Sequence, residues 1–241
     1  MVKTEAFVIG TIKYGDSSLI VHLFTEALGY RSYLIKGILT SKKGKLKKSY
    51  FQPLSHLAIE VSDKKPDRLG YIRECHLMTS ALQQDSDPIK GPLLLFLCEV
   101  LASVLKEESE RNAPLFAYLR TTMHWLESLN KLGNFHLKFL IDLTKFVGFY
   151  PNTTLKEAPY FDLESGCYSA TLPRGKNIQG EVLTLFNQFL GTNFEGSIEI
   201  KLNKSLRSRI LHTILAYYAF HLQGFRHPKS LDVLHEIFEV Y

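Results

Sequence analysis

The spacing of apolar residues changes its period near residue 80, and this change constrains the fold more than any other feature of the chain. Before it, short runs alternate with a period of two, as in residues 30–36, which is typical of β-strands. After it, apolar residues recur about every 3.6 positions, as in Leu93, Leu97, Val100 and Val104, which is typical of amphipathic helices. We therefore expect an α+β protein in which the strands come first and the helices second.

The β-rich part predicts five short strands with no helix between most of them. Gly10 interrupts the first run, which indicates a β-bulge or a close backbone approach there. Such an arrangement predicts a small, closed or partly open barrel. The strands are predicted at residues 6–14, 19–24, 30–36, 54–61 and 70–77.

The second part predicts helices at residues 93–104, 115–129, 135–146, 180–190, 202–223 and 230–240. The third is expected to end at Gly148, with Pro151 beyond it. Between them, residues 151–179 predict an irregular insert that contains a small hairpin at 160–171. The predicted domains are therefore residues 1–80, a barrel, and residues 81–241, a mainly α-helical domain.

Positive charge is concentrated in the first third of the chain. Residues 1–80 contain thirteen Lys and Arg against seven Asp and Glu, whereas residues 81–241 contain sixteen against seventeen. No acidic residue occurs between Glu26 and Glu60. This asymmetry indicates an anionic partner for the first domain more strongly than the net charge of +5 does.

A lysine-rich segment with aromatic neighbours lies inside this acid-free window. Residues 42–48 contain five lysines, which suits either a solvated loop or a surface that neutralises phosphates while bases stack on nearby rings. Its place after the third strand of a small barrel favours nucleic acid. Tyr33 and Phe51 fit the barrel core equally well. The candidate DNA-binding residues are Tyr30, Arg31, Tyr33, Lys36, Lys42, Lys43, Lys45, Lys47, Lys48 and Tyr50.

A second basic feature lies on a late helix. Lys201, Lys204 and Arg207 recur every three residues and share roughly one helical face, with Arg209 beside them. Such a stripe is usually a solvated face. The alternative is a docking site for an acidic peptide or for more nucleic acid, with Leu202 and Leu206 as its apolar part.

No pattern predicts a metal centre or an enzyme active site. The nine histidines form no HxxxH or HExxH motif, and the three cysteines are far apart and predict neither a zinc site nor disulfides. Gly44 lacks a GxxxxGK[ST] frame, so ATP hydrolysis is not predicted. Asp162 and Glu164 leave a magnesium-dependent nuclease as a distant alternative. We expect no cofactor, no metal and no catalytic residue.

The location expected from these features is the cytoplasm. The free cysteines suit a reducing compartment. The N-terminus has acidic Glu5 and no apolar run of signal-peptide length, and residues 93–98 are too short to span a bilayer. No membrane partner is predicted.

The order of these features resembles the RecO family of bacterial recombination mediators. The resemblance is most specific in TEAFVIGTIKYGDSSLIVHLFTEALGYRSYLIKGI, through the spacing of Tyr14, Asp16, Ser17, Phe24, Thr25, Gly29 and Gly37. The ending FRHPKSLDVLHEI is similar to the C-terminal helix of that family. Together the similarity covers nearly the whole chain.

This resemblance implies a five-stranded OB-fold followed by a helical domain, in a bacterial cytoplasmic protein associated with the nucleoid. It also implies an ATP-independent protein that binds single- and double-stranded DNA and anneals complementary strands. The implied partners are RecR, the C-terminal tail of single-strand binding protein and, indirectly, RecA. We assign that acidic tail to Lys201, Lys204 and Arg207 as a hypothesis.

Many members of that family carry a four-cysteine zinc motif in the region that corresponds to residues 146–172. This chain keeps only Cys167 there, so we expect no zinc and a segment held by packing alone. The alternative function is a basic scaffold that docks acidic proteins and binds DNA only incidentally.

Overall fold

The computed structural model describes residues 1–40, 46–62, 68–80, 88–107, 110–129 and 132–240. Packing divides the chain into a first unit, residues 1–129 with 228–230, and a second unit, residues 130–227 with 231–241. The first two helices therefore pack in the unit that contains the strands. The predicted domain boundary at residue 80 marks the change from strands to helices and stays a prediction from the sequence.

The five predicted strands are confirmed, and they form one antiparallel sheet in the order β3-β2-β1-β4-β5. The predicted bulge is confirmed as well, since the register of β1 against β2 shifts between Val8 and Gly10. The shift bends β1, which lets one long strand pair with β2 and with β4. The strands are β1 (Val2–Tyr14), β2 (Ser18–Thr25), β3 (Gly29–Ile35), β4 (His56–Val61) and β5 (Ile72–Thr79).

Gly70 closes this sheet into a barrel. Its carbonyl accepts a hydrogen bond from the backbone nitrogen of Leu34 at 3.0 Å, and its own nitrogen donates to the carbonyl of Ser32 at 2.9 Å. These bonds join the start of the fifth strand region to β3. The strand order with this closure is that of a five-stranded OB-fold barrel, as predicted.

Substituting Gly70 should weaken this closure. A Cβ at Gly70 would lie 2.8 Å from two ring carbons of Tyr33 and 2.9 Å from Oγ of Ser62. Since the Tyr33 ring is enclosed by the core, we expect Gly70→Ala to lower the free energy of unfolding by about 2 kcal/mol. Gly10→Ala is the matched control, because its Cβ would meet only Cδ2 of His22 at 3.9 Å. Chemical denaturation measures the free energy of unfolding of both variants. Equal losses would contradict the close approach of Gly70 to the Tyr33 ring.

The barrel has an apolar interior and a second apolar layer outside it. On the outer side, the rings of Phe7 and Phe24 pack against Phe116 with centroid distances of 5.3 and 5.7 Å. This layer binds the second helix to the sheet. The interior cluster consists of Ala6, Val8, Leu19, Val21, Leu23, Tyr33, Ile35, Ile38, Phe51, Leu57, Ile59, Val61, Ile72 and Cys75.

The predicted helices are present, with differences at their ends and one addition. The third ends at Leu143 rather than at Gly148, because the backbone nitrogens of Lys145 and Phe146 bond three residues back and tighten the turn. A short helix, α5, was not predicted. The helices are α1 (Lys90–Glu107), α2 (Ala113–Glu127), α3 (Phe135–Leu143), α4 (Gly180–Gly191), α5 (Phe194–Glu199), α6 (Lys204–His221) and α7 (Leu231–Val240).

A buried charged network lies on α3, where the sequence pattern predicts only apolar packing. The ammonium of Lys138, whose side chain is 2% exposed, donates to Asp142 at 2.9 Å and to the carbonyl of Phe189 at 3.2 Å. Lys145 donates to the same carboxylate oxygen at 2.7 Å. Burial lowers the pKa of Lys138, and the contact with Asp142 opposes that shift. The bond from Lys138 to Phe189 connects α3 with α4.

The predicted hairpin in the insert is confirmed, and a third strand pairs with it. β6 (Tyr160–Asp162) lies between β7 (Cys167–Ser169) and β8 (Asn177–Gln179). The last of these strands was not predicted, since three residues leave too short a pattern to recognise. The insert contacts α6: the ring of Phe161 packs against that of Tyr217 with centroids 5.9 Å apart, and Nε2 of His221 donates to the carbonyl of Leu163 at 3.0 Å.

None of the helices within the described residues is long and apolar enough to cross a membrane.

Candidate nucleic-acid interface

The lysine-rich segment is anchored to the barrel at both of its ends. At its start, Ile38 is buried in the core and the backbone nitrogen of Leu39 donates to the carbonyl of Ser17 at 2.9 Å. At its end, a 3-10 turn (Lys48–Phe51) places Phe51 in the core. The first of these anchors lies at the turn that joins β1 to β2. Lys42, Lys43 and Lys45 lie outside the described residues, and their role stays a prediction.

The described lysines of this region are exposed. Lys36 directly follows β3, Lys47 precedes the 3-10 turn, and Lys48 is its first residue. The ammonium of Lys47 lies 6.0 Å from the centroid of the Tyr50 ring, a cation-π distance. One exposed cation therefore precedes the predicted segment, and two more lie at its end. Such an arrangement neutralises phosphates of a strand that passes over it.

The three candidate tyrosines differ in how accessible they are. Tyr33 is 1% exposed and belongs to the core, so its ring is not available for stacking on a base. Tyr50 is half-buried and packs against the same core. Tyr30 is half-buried on the outer face, where its ring stacks on His22 with centroids 6.0 Å apart. Burial raises the pKa of Tyr30 to about 12 and lowers that of His22.

Arg31 is less available than the sequence suggests. It is half-buried, and its Nη1 donates to the carbonyl of Tyr30 at 2.8 Å. A guanidinium held by its own backbone keeps its charge near the surface but offers fewer donors to a phosphate. Of the candidate residues, Arg31 therefore fits a supporting electrostatic role better than a direct contact.

The hairpin of β1 and β2 carries exposed side chains that the sequence analysis did not assign to DNA binding. Ile12, Lys13 and Tyr14 are exposed, whereas residues 6–9 in the middle of the same strand are buried. The sequence shows the alternation of this strand but not that its last residues extend beyond the barrel. The register of the sheet shows this extension, because it pairs Tyr14 with Ser18 at the end of the hairpin.

The second unit contains a basic cleft where the sequence predicts a helical stripe. A cavity of about 420 Å³ at the start of α6 is lined by Lys204, Arg207 and Arg209 together with His136, His235, Ser205, Ser208 and Leu211. Lys201 and Leu202 line an adjoining cleft of about 560 Å³, which shares Arg207 with the first. Leu206 lines neither cavity. The structure thus brings Lys204 and Arg207 into one site and places Lys201 next to it.

Burial shapes the electrostatics of this cleft. It lowers the pKa of the Arg207 guanidinium and lowers the pKa of His136 to about 3. Nearby positive charge from Arg207 contributes to the shift of His136. His136 is therefore neutral near pH 7, and the lysine and two arginines make the cleft cationic. A cationic cleft with one apolar wall fits an acidic peptide better than a duplex backbone.

The residues present do not fit a metal site. Cys167 is a single thiol, and no cluster of three His, Cys, Asp or Glu side chains suited to a metal ion occurs in the part of the chain that the structure describes. The carboxylate of Asp162 accepts hydrogen bonds from the nitrogen of Glu164 and the hydroxyl of Ser165, both at 2.9 Å. It is therefore engaged in the turn between β6 and β7.

Comparison with known proteins identifies both parts of the chain. The family model described as "Recombination protein O N terminal" matches residues 1–81, and the one described as "Recombination protein O C terminal" matches residues 86–231. These two matches cover almost the whole chain. Their meeting point lies close to the change in apolar period.

Full-length relatives agree with these matches. The chain is 39% identical over 238 residues to the DNA repair protein RecO of Christiangramia forsetii, covering 99% of each chain. It is 37% identical over 237 residues to the protein of that name from Flavobacterium psychrophilum, covering 98% of this chain and 99% of the relative. A Bacteroides fragilis protein of the same name is 36% identical over 241 residues, with coverage of 98% and 99%.

Proposed function

The chain belongs to the RecO family, whose role is in DNA repair and recombination, and on that premise we propose that it binds DNA through the lysine-rich face of its barrel and anneals complementary single strands. With RecR, it then helps to place RecA on strands coated by single-strand binding protein. We place this work in the bacterial cytoplasm, at the nucleoid.

The observation that carries this proposal is the cationic segment anchored at both ends on an OB-fold barrel. Lys36, Lys47 and Lys48 are exposed around it, and the sequence between Glu26 and Glu60 contains no acid to weaken their field. OB-folds commonly bind nucleic acid on this side of the barrel. Lysines that neutralise phosphates supply affinity that does not depend on base sequence, which is what a mediator acting on any strand requires.

Annealing needs charge neutralisation rather than bond-making chemistry. Two complementary strands repel each other as polyanions, and a surface that neutralises both lowers this repulsion. We therefore propose a non-enzymatic activity that requires neither ATP nor a metal ion.

A strand-annealing assay at physiological salt tests the proposal. We expect the protein to accelerate pairing of complementary oligonucleotides, and its DNA affinity to fall steeply as salt rises. A scaffold that binds DNA only incidentally would leave the pairing rate unchanged, which would reject the proposed activity. Adding RecR and RecA to strands coated by single-strand binding protein then tests the mediator step through the rate of RecA filament formation.

For the second unit we propose that the basic cleft on α6 binds the acidic C-terminal tail of single-strand binding protein. Lys204 and Arg207 line the cleft, Lys201 lies in the adjoining one, and half-buried Leu202 beside Lys201 offers apolar surface to a hydrophobic side chain of the peptide. Charge-assisted hydrogen bonds to carboxylates are the strongest contacts that such a cleft offers.

A triple variant tests this site. Changing Lys201, Lys204 and Arg207 to glutamine should weaken binding of the tail peptide at least about tenfold, since each lost charged partner costs roughly 1 kcal/mol or more. A variant with Lys156, Arg174 and Lys176 changed to glutamine removes the same charge from the same unit and should bind nearly normally. Peptide titration by fluorescence anisotropy measures both, and equal affinities for the two variants would reject the site.

A further inference from the structure

The end of the β1–β2 hairpin exposes an aromatic and an aliphatic side chain. Tyr14 and Ile12 are each 55% exposed, and the residues from 11 to 16 around them are exposed as well. In the sheet, Tyr14 pairs with Ser18 and Ile12 pairs with Ile20. Since Ile12 and Tyr14 are two residues apart on one strand, they share a face and form a small exposed apolar patch, a feature that can mark an interaction site.

These side chains share the outer face of the barrel with an aromatic pair, His22 and Tyr30. Alternation along the strands places Tyr14 and Ile12 on the face that also carries Ile20 and His22. His22 stacks on Tyr30 with an interplanar angle of 16°, and its Nδ1 is hydrogen-bonded to the hydroxyl of Ser32 at 2.8 Å. From His22 to the level of Tyr14 is four residues, or roughly 13 Å. The face thus has one aromatic pair at one end and Tyr14 at the other.

Cations border this face. Lys13 is exposed on the hairpin itself, and the carbonyl of Ser17 in the hairpin turn accepts a hydrogen bond from the backbone nitrogen of Leu39, which precedes the lysine-rich segment in the sequence. On the other side, the positive charge of Lys106 is close enough to contribute to the lowered pKa of His22. Asp16 is the acidic residue on the turn. Lys13 adjoins Tyr14 in the sequence, and an exposed ring next to a lysine is suited to a base whose phosphate that lysine neutralises.

We propose that Tyr14, with Ile12 beside it, is a stacking platform for unpaired bases of single-stranded DNA. The proposal rests on the proposed DNA-binding function and gives the same surface a preference for single strands. In a duplex the faces of the bases are already stacked on one another, so only an unpaired base offers a face to the ring. Tyr14 also supplies the accessible aromatic group that buried Tyr33 does not.

Removing the ring should weaken binding of single strands but not its salt dependence. We expect Tyr14→Ala to lower the affinity for an oligothymidine at least about fivefold, while Tyr14→Phe retains it. Duplex affinity should change little. Because stacking neutralises no phosphate, the slope of log K against log[salt] should stay that of the unchanged protein, whereas Lys13→Gln should make it shallower by about 0.7.

Tyr71 provides a matched control. It is 54% exposed in the same unit, and its hydroxyl donates to Sδ of Met1 at 3.5 Å, which places it at the opposite end of β1 from Tyr14. Tyr71→Ala should leave the affinity unchanged. Thermal unfolding of both alanine variants shows that the barrel is intact, because neither ring is part of the core.

The outcomes separate this inference from the proposed function. If the unchanged protein binds no single-stranded DNA, the proposed function is wrong. If it binds and the lysine variants weaken binding while Tyr14→Ala does not, only the stacking platform is rejected. A Tyr14→Ala variant with normal DNA affinity and impaired binding of RecR would assign the hairpin to a protein partner and also overturn the proposal.

Discussion

Replacing all five lysines of the lysine-rich segment by glutamine is expected to lower the affinity for single-stranded DNA on the order of 10²- to 10³-fold at about 150 mM salt. The slope of log K against log[salt] should become shallower by about 3.5, since each phosphate contact with a single strand contributes about 0.7. The substituted residues are Lys42, Lys43, Lys45, Lys47 and Lys48.

The physical reason is that these lysines release counterions from the strand, which is the part of binding that salt opposes. A comparison variant with Lys64, Lys65 and Arg68 changed to glutamine removes three charges from the same domain. Asp63 and Asp67 adjoin those positions in the sequence, so we expect little change in its slope. Titrations monitored by anisotropy across salt concentrations give both slopes. An unchanged slope in the five-lysine variant would exclude the segment as the principal phosphate contact.

The largest expected effect on stability comes from Asp142. The Asp142→Ala variant should lose about 3–5 kcal/mol of unfolding free energy at pH 7, because it leaves the buried ammonium of Lys138 without its carboxylate. Lys145→Ala is the matched control. The Lys145 side chain is 43% exposed, so losing its contact with the same carboxylate should cost no more than about 1 kcal/mol.

The loss of unfolding free energy caused by Asp142→Ala should become smaller as pH rises. Burial already lowers the pKa of Lys138, and Asp142 is the group that raises it, so the variant lowers that pKa further. The unfolded chain then binds more protons at this lysine than the folded chain, up to a pKa of about 10.4. Stability therefore increases with pH in this range. Urea denaturation at pH 7 and pH 9 measures the change, and a deficit equal to that of Lys145→Ala at both values would contradict the buried charge.

Much of the fold could be predicted because its signals are local. The change in period near residue 80 predicted strands followed by helices, and Gly10 predicted the bulge in β1; both are confirmed. The elements that were missed, α5 and β8, are short and carry too few residues to show a period. The end of the third helix was misplaced because the turn after Leu143 uses tighter hydrogen bonds that glycine and proline positions do not reveal.

The candidate site was less predictable than the fold. The sequence shows where the lysines of the segment lie along the chain, but it left Tyr33 open between the core and the candidate DNA-binding surface. In the structure Tyr33 is enclosed in the core, while Tyr14, which the sequence analysis did not assign to DNA binding, is exposed. The candidate acidic-peptide site was also only partly predictable. The spacing of Lys201, Lys204 and Arg207 is evident in the sequence, whereas only the folded chain shows that His136 and His235 line the same cleft as Lys204 and Arg207.

The sequence by itself determined the fold class, the family and the sign of the charge on the first domain, because period, composition and residue spacing are properties of neighbouring positions. The tertiary structure decided which side chains are available to a ligand. A tyrosine on a strand faces either the core or the solvent according to register and to the length by which a hairpin extends past the barrel, and both depend on pairing between distant residues. For this reason Tyr33 packs against Gly70 inside the barrel, while Tyr14 lies exposed at the end of the β1–β2 hairpin.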